Sequence, residues 1–410
     1  MDQQSGSPEV FKGIKVADFS WVSVGPRTTE YLAEYGATVV RIESATHYDA
    51  LRMAAPYWQN KPGINSSCLY ARFNVNKYGA TLNLNHPKGV EVAHRFVKWA
   101  DIVVESFTPG VMKRWGLSYE ELVKIRPDII MLSTSLQGNY GPSAQSPGFG
   151  IHLTSLAGFT HLVGWADRPP IPIFGAYTDA IAPRFQIVSV VAALNYRRRT
   201  GRGQYIDSSQ LETSLQLLSP LFLDYQVNRR SGERKGNRCA HAAPHGVFRC
   251  RGEDRWCAIA VSTDDEWKAF RTVLGDPEWA ADQKKFATFI GRKRNEDELE
   301  TQVEEWTKKF TAEEVMKRMQ EAGVPAGVVA TGEDVYGDPQ LLHREHFTKL
   351  SHPEMGAYPH ERSAAILSDS PGRLNRPAPC LGEHNHYVYT ELLGMSEEEF
   401  SELLNEKTFE

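Results

Sequence analysis

The sequence predicts an α/β protein with a large Rossmann-like domain built on a parallel sheet and a smaller α+β domain. Three observations carry that prediction. Between Ile14 and Glu43 the chain runs strand, glycine turn, helix, strand, which is a βαβ unit. At least four strands alternate with helices before residue 136, the pattern of a parallel sheet covered on both faces. At 410 residues the chain exceeds one ordinary core, and a charged, glycine-bearing run from Asn228 to Arg238 interrupts it.

Ile14 to Phe19 reads as the first strand and Thr38 to Glu43 as the second. Val22 to Pro26 reads as the turn between them, with Pro26 at a first helical position, and Thr28 to Tyr35 as a helix stopped by Gly36. His47 to Ser67 reads as a long loop, and Ala80 to Leu84 as a short strand. Pro87 opens a helix whose Val92, Ala93, Phe96, Val97 and Ala100 recur at intervals of three and four, which gives one buried face. Asp101 to Phe107 and Ile129 to Ser133 are further strands, and Ser118-Tyr119-Glu120-Glu121 between them has the form of a capping box. Beyond the interruption, Gly246 to Cys250 and Trp256 to Val261 read as a hairpin, Asp265 to Leu274 and Asp297 to Phe310 as helices, and Ala326 to Ala330 as a return strand.

Composition narrows the function. Apolar residues make up 41% and charged residues 24%, ordinary globular usage, and the net charge of −5 with no long basic block argues against nucleic acid as a partner. No run approaches the length of a membrane span, and Met1 to Val10 lacks an apolar signal core, so a cytoplasmic protein without membrane contact is expected. The five scattered cysteines fit reduced thiols. Cys239, Cys250 and Cys257 lie near His241 and His245, but no C-x-x-C pair occurs, and no metal is expected. G-x-G-x-x-G is missing after the first strand and incomplete at Gly148-Phe149-Gly150, which argues against a nicotinamide cofactor.

The stretch Pro172 to Ala180 delivers one carboxylate, Asp179, to the mouth of an apolar helix through Arg184 to Leu194. Asp179 has two readings there: an N-cap whose oxygen accepts an orphan backbone N–H, or a nucleophile held where a helix N-terminus favours an anion.

Several motifs, in order, resemble the class III CoA-transferases, the family that includes formyl-CoA transferase and α-methylacyl-CoA racemase. They are Gly13 to Phe19 with Gly25-Pro26, Gly36 to Glu43, Asp49 with Arg52, Phe73-Asn74-Val75-Asn76-Lys77, Pro109-Gly110 with Arg114-Trp115-Gly116, Thr200-Gly201-Arg202-Gly203-Gln204, and Leu381-Gly382-Glu383-His384. The resemblance implies a large domain built from both ends of the chain, residues 1–227 and 331–410, a small domain with its linker at 228–330, and two interlocked subunits. It implies Asp179 as the catalytic nucleophile, passing through an aspartyl anhydride and an aspartyl-CoA thioester. It implies CoA contacts at Ser23, Val24, Ser44, Leu82, Asn83, Asn85, Ser106, Phe107 and Arg114. Ser44 stands where formyl-CoA transferase has an arginine, and Arg41 or Arg52 is the expected substitute. No permanently bound cofactor is expected; CoA thioesters and carboxylic acids are the substrates, and the assembly is a homodimer or a heterodimer with a related subunit.

Two alternatives stand beside the transferase. A racemase needs an opposed histidine, yet the family's histidine position is Phe149, and His152 three residues on reads as structural. A non-catalytic partner subunit would lack the aspartate, which this chain keeps. For the acceptor, Arg229, Arg230, Arg234, Lys235 and Arg238 offer charge for a second carboxylate, and Phe222, Tyr225 and Phe248 an apolar wall. That combination resembles benzylsuccinate CoA-transferases, so the expected exchange is between succinyl-CoA and an aryl-substituted succinate.

Overall fold

The computed structural model describes residues 8–282 and 284–410. They form two compact units: residues 8–160, 172–231 and 343–410, and residues 161–171 with 232–342. The second unit thus ends later than residue 330 and also takes in residues 161–171, a segment the sequence reading left in the large domain.

In the first unit, β1 (Lys15–Asp18), α1 (Val24–Glu34) and β2 (Thr38–Glu43) make the predicted βαβ unit. Then come α2 (Cys68–Arg72), β3 (Tyr78–Thr81), α3 (Pro87–Trp99), β4 (Ile102–Glu105), α4 (Val111–Arg114), α5 (Tyr119–Ile125) and β5 (Ile130–Ser135). Two short helices, α6 (Gly150–Leu156) and α7 (Phe159–Leu162, whose last two residues fall in the second unit), precede the long α8 (Tyr177–Thr200), β6 (Gln204–Ser209), α9 (Gln210–Leu215) and α10 (Ser219–Asn228). The six strands pair in parallel in the order β3-β2-β1-β4-β5-β6. The order reverses beside β1, so the crevice of a doubly wound sheet opens past the carboxyl ends of β1 and β4.

Alternation along the strands divides the core between the two faces. Ala17, Val40, Val103 and Met131 point to the side of α3, where Phe96 and Val97 pack with Tyr389 and Phe409. Their neighbours Val16, Val39, Val104 and Leu132 point to the side of α1 and α8, against Leu32, Val190 and Ala193. Only that inner face of α8 is covered; Val188 on the other face is 69% exposed. Later in the chain the first unit adds the hairpin strands β10 (Phe347–His352) and β11 (Gly356–Glu361) and α17 (Glu397–Asn405).

The second unit holds a three-stranded sheet of β7 (His245–Arg249), β8 (Trp256–Ala260) and β9 (Ala326–Val328), all antiparallel. Between β8 and β9 lie α11 (Asp264–Leu274), α12 (Phe289–Arg294), α13 (Glu296–Thr307) and α14 (Ala312–Glu321), and α15 (Gly332–Gly337) and α16 (Pro339–His343) follow. Its core contains Phe248, Cys250, Cys257, Trp267, Phe270 and Met319. Burial pushes the Cys250 thiol up to about 11 and the Cys257 thiol up to about 12, so both are packing groups. Among the described residues no helix is long and apolar enough to cross a membrane, and no cluster of three or more His, Cys, Asp or Glu side chains is placed to hold a metal.

Several local expectations change. α1 begins at Val24, so Pro26 is its third residue rather than its first. The Ser118 side chain makes no cap bond, so the capping box does not form. The third strand runs Tyr78–Thr81, two residues earlier than read. α8 begins at Tyr177 and carries Pro183 inside it. A proline interior to a helix normally breaks it, and the helix expected from the sequence, through Arg184 to Leu194, lies wholly after that proline.

Under the carboxyl ends of β1 and β2 lies a buried set of charges. Lys77 Nζ is 3.1 Å from Asp18 Oδ2, and Arg41 Nη2 is 2.7 Å from Asp49 Oδ2. Arg52 holds Glu43 through two bonds of 3.0 and 2.8 Å and stacks 3.7 Å from the Tyr70 ring. The three acids Asp18, Asp49 and Glu43 balance the three bases Lys77, Arg41 and Arg52, all with buried side chains. Burial disfavours charge on Lys77, whose ammonium is drawn down to about 8 despite Asp18. Asp49 also accepts the Val22 N–H at 2.9 Å, and Val22 adopts φ 65°, a left-handed conformation unfavourable for a β-branched residue. The ionic set therefore holds the turn between β1 and α1. Removing one member of such a set strands its partner, so Asp49→Ala is expected to destabilise the protein by about 3–5 kcal/mol in denaturant titration. A variant melting like the parent would show that the charges are not mutually supporting.

Candidate active site

Asp179 is the third residue of α8, and its own N–H bonds to Ala176 O at 3.0 Å. Ala176, not Asp179, occupies the N-cap, and no side chain caps this helix. The N-cap reading therefore does not hold. The carboxylate points into a cavity of about 180 Å³ lined by Trp21, Ser23, Val24, Ser106, Phe107 and Gly150, among others. Burial pushes its carboxyl up to about 6, opposed only by the weak Thr178 hydroxyl contact at 3.4 Å. A desolvated carboxylate with little hydrogen bonding is a reactive one.

Gly150 makes this placement possible. A methyl group there would overlap Ala176 Cβ and the Asp179 carboxylate, lying 2.9 Å from Asp179 Cγ. The sequence reading noticed Gly150 only as part of an incomplete dinucleotide motif. Its use is close backbone approach to the carboxylate.

A second cavity, of about 240 Å³, is lined by Ser44, Leu82, Asn83, Asn85, Phe107 and Trp115, with Trp21 again in its wall. The two cavities share Trp21 and Phe107. Of the nine residues expected to contact CoA, eight line one cavity or the other. Arg114 lines neither; it sits exposed at the last position of α4. Arg41 and Arg52, the expected substitutes at Ser44, have wholly buried side chains committed to Asp49 and Glu43. They are structural, a correction whose cause is their desolvation with partners already in place.

The shared wall is fastened from below. Ser106 Oγ accepts the Trp21 N–H at 2.7 Å and donates to Trp21 O at 3.1 Å, tying the β4 loop to the β1 loop. Glu105, at the end of β4, accepts the Phe107 N–H at 2.8 Å and the Ser133 hydroxyl proton. Glu105 is buried, and this desolvation pushes it up to about 7. Gln186 of α8 takes the Thr28 hydroxyl at 2.6 Å and donates to Thr134 at 2.7 Å, which locks the helix bearing Asp179 to α1 and β5. Neither Glu105 nor Gln186 is visible as a site residue in the sequence, because each acts through partners distant along the chain.

His152 sits on α6, where its Nδ1 accepts the Phe149 N–H at 3.1 Å, a structural role as expected from the sequence. The basic linker divides. Arg238 pairs with Glu300 at 2.6 Å and with Asp297, and Arg234 donates to His161 O at 3.1 Å. Arg229 and Arg230 lie outside the lining of the Asp179 cavity. Phe248 is 3% exposed in the core of the second unit, so it is no wall for a substrate. Packing at Gly150 gives a direct check on the site: Gly150→Ala should leave the fold intact by circular dichroism yet lower turnover on the order of a hundredfold, because misplacing a reacting group by an ångström has that effect. Unchanged turnover would mean the close approach is incidental.

Comparison with known proteins fits this geometry. A family profile described as CoA-transferase family III matches residues 11–385. The succinyl-CoA–D-citramalate CoA-transferase of Chloroflexus aurantiacus is 30% identical, over 97% of this chain and 97% of the relative. The succinate–glutarate CoA-transferase of Agrobacterium fabrum is 28% identical, over 93% of this chain and 95% of the relative. A CAIB/BAIF family protein from Brucella suis superposes with a TM-score of 0.86 at 29% identity, covering 94% of this chain and all of the other. The motifs, the doubly wound sheet and these matches over nearly the whole sequence agree: the chain belongs to CoA-transferase family III and is a CoA-transferase.

Proposed function

We propose that Asp179 is the nucleophile of a CoA transfer between succinyl-CoA and a dicarboxylic acid. The observation that carries this is the half-buried carboxylate of Asp179, in a cavity at the carboxyl ends of the sheet and, among the described residues, with no cation in the cavity lining to quench it. The relatives' names support the substrates: succinyl-CoA with D-citramalate or L-malate, and succinate with glutarate. An aryl substituent on the acceptor is not part of the proposal: of its expected apolar wall, Phe248 is a core residue, and the exposed Phe222 and Tyr225 do not line the Asp179 cavity.

In the proposed sequence the Asp179 carboxylate attacks the donor thioester carbonyl; a C–O bond forms, the C–S bond breaks, and CoA thiolate leaves. The thiolate attacks the Asp179 carbonyl of the anhydride, which releases the donor acid and leaves aspartyl-CoA. The acceptor carboxylate then displaces the thiolate, forming a second anhydride. Attack of the thiolate on the acceptor acyl carbon finally yields acceptor-CoA and restores Asp179. Ser23, Val24, Ser106 and Phe107 would hold the thioester end, and Ser44, Leu82, Asn83 and Asn85 the remainder of CoA. We give Arg114 no part in this.

A second chain is part of the proposal. α10 buries none of its residues within the unit, and Val227 on it is 77% exposed. With the bare outer face of α8, this supports association with another copy or a related chain, and relatives include alpha and beta subunits of an L-malate CoA-transferase.

Asp179→Ala should lower transfer by on the order of a thousandfold or more while the protein still binds CoA. Because only the ionised carboxylate attacks and burial holds its pKa near 6, kcat/KM should fall as pH drops through about 6. A variant with near-parental turnover would remove Asp179 from the mechanism. The racemase alternative is separated by heavy water: no deuterium should enter the α-carbon of the acyl-CoA during turnover, and rapid uptake abolished by His152→Ala would favour racemisation.

A further inference from the structure

The reaction as proposed gives no role to two polar side chains in the wall around Asp179. Ser135 ends β5, and Gln210 follows Ser209, the residue paired with Ser135 across β5 and β6. Both line the Asp179 cavity, and each is only 7% exposed. Ser135 Oγ and Gln210 Oε1 are buried with no hydrogen-bond partner among the described residues. Their polar neighbours are paired: Thr134 and Ser208 accept from Gln186 at 2.7 and 3.1 Å, and Ser209 Oγ accepts the Glu212 N–H at 3.2 Å. Unpaired buried polar atoms destabilise a fold, so two of them in one cavity wall mark places a ligand completes.

Their chemistry restricts that ligand. An amide oxygen only accepts, whereas a serine hydroxyl both donates and accepts. A carboxylate, ketone or ether oxygen brings no proton to Gln210 Oε1. A secondary amide carries its N–H and its C=O on opposite sides, so from one position it meets Gln210 or Ser135 but not both. A hydroxyl serves both, donating to one and accepting from the other. We infer that the acid exchanged here carries a hydroxyl group, and that Ser135 and Gln210 select it; the acceptor class is a hydroxycarboxylic acid. This rests on the CoA-transfer reading, because the acyl carbon must meet Asp179 in the same cavity.

A site built to hydrogen-bond a hydroxyl rejects the analogue that lacks it far more strongly than an apolar pocket distinguishes a methylene. The test uses the full-length protein with succinyl-CoA as donor and paired acceptors: both enantiomers of citramalate against methylsuccinate, and of 2-hydroxyglutarate against glutarate. At least one hydroxy acid should exceed its deoxy partner in kcat/KM by on the order of tenfold or more. That ratio should fall close to one in Gln210→Leu and in Ser135→Ala. A parental ratio near one overturns the inference without depending on any variant. A ratio unchanged in both variants overturns it too. So does an equal rise in donor KM with every acid on Gln210→Leu, which would place a pantetheine amide at that oxygen. Failure of the underlying reading looks different, since no CoA would then reach any acid, and the inference would fall with it.

Discussion

The balanced set of buried charges beneath β1 and β2 is the constraint on which the site rests. Arg41 and Asp49 meet at 2.7 Å, and Asp49 in turn holds the Val22 N–H. Six buried charged side chains tolerate one arrangement only, since displacing any member strands another. Val22 is thereby kept at a positive φ that a β-branched residue would otherwise leave. The turn so fixed carries Trp21, Ser23 and Val24, and Trp21 stands in the wall of both cavities. The motif residues Asp49, Arg52 and Lys77 thus act on the site from below, by fixing the backbone that lines it.

A second constraint is the space beside Asp179. The carboxylate is unusual in being half-buried without a strong partner, and the missing side chain at Gly150 lets the backbone of α6 come close to it. Burial of this kind keeps the carboxylate under-solvated near neutral pH, which favours the proposed attack on a thioester. The helix that carries it is tied to the sheet through Gln186, Thr28 and Thr134. Pro183 lies four residues after Asp179, so the Asp179 carbonyl lacks its usual helical donor.

What the sequence disclosed, and what it hid, follows from the range of the interactions. The βαβ unit, the parallel sheet and the β7–β8 hairpin depend on local alternation and were legible. The cavity residues Ser23, Val24, Ser44, Leu82, Asn83, Asn85, Ser106 and Phe107 were reached through family motifs, not through any local signal of their own. Arg41 and Arg52 were misread because a guanidinium looks the same in a sequence whether it faces phosphate or a buried carboxylate. The start of α8 was misplaced because Pro183 signals a break that tertiary packing overrides. Ser135, Gln210 and Glu105 carried no sequence signal, and Gly150 only that of an incomplete dinucleotide motif, since each matters through a neighbour brought close only by the fold.

The account turns on a covalent bond at one carboxylate, and trapping that bond tests it most directly. The protein is mixed with succinyl-CoA, treated with borohydride, digested and examined by mass spectrometry. An aspartyl thioester would be reduced to homoserine, so the peptide containing residue 179 should carry that change only when the acyl-CoA is present. An unmodified Asp179 in protein that is turning over, or the reduced residue at another carboxylate, would contradict the account.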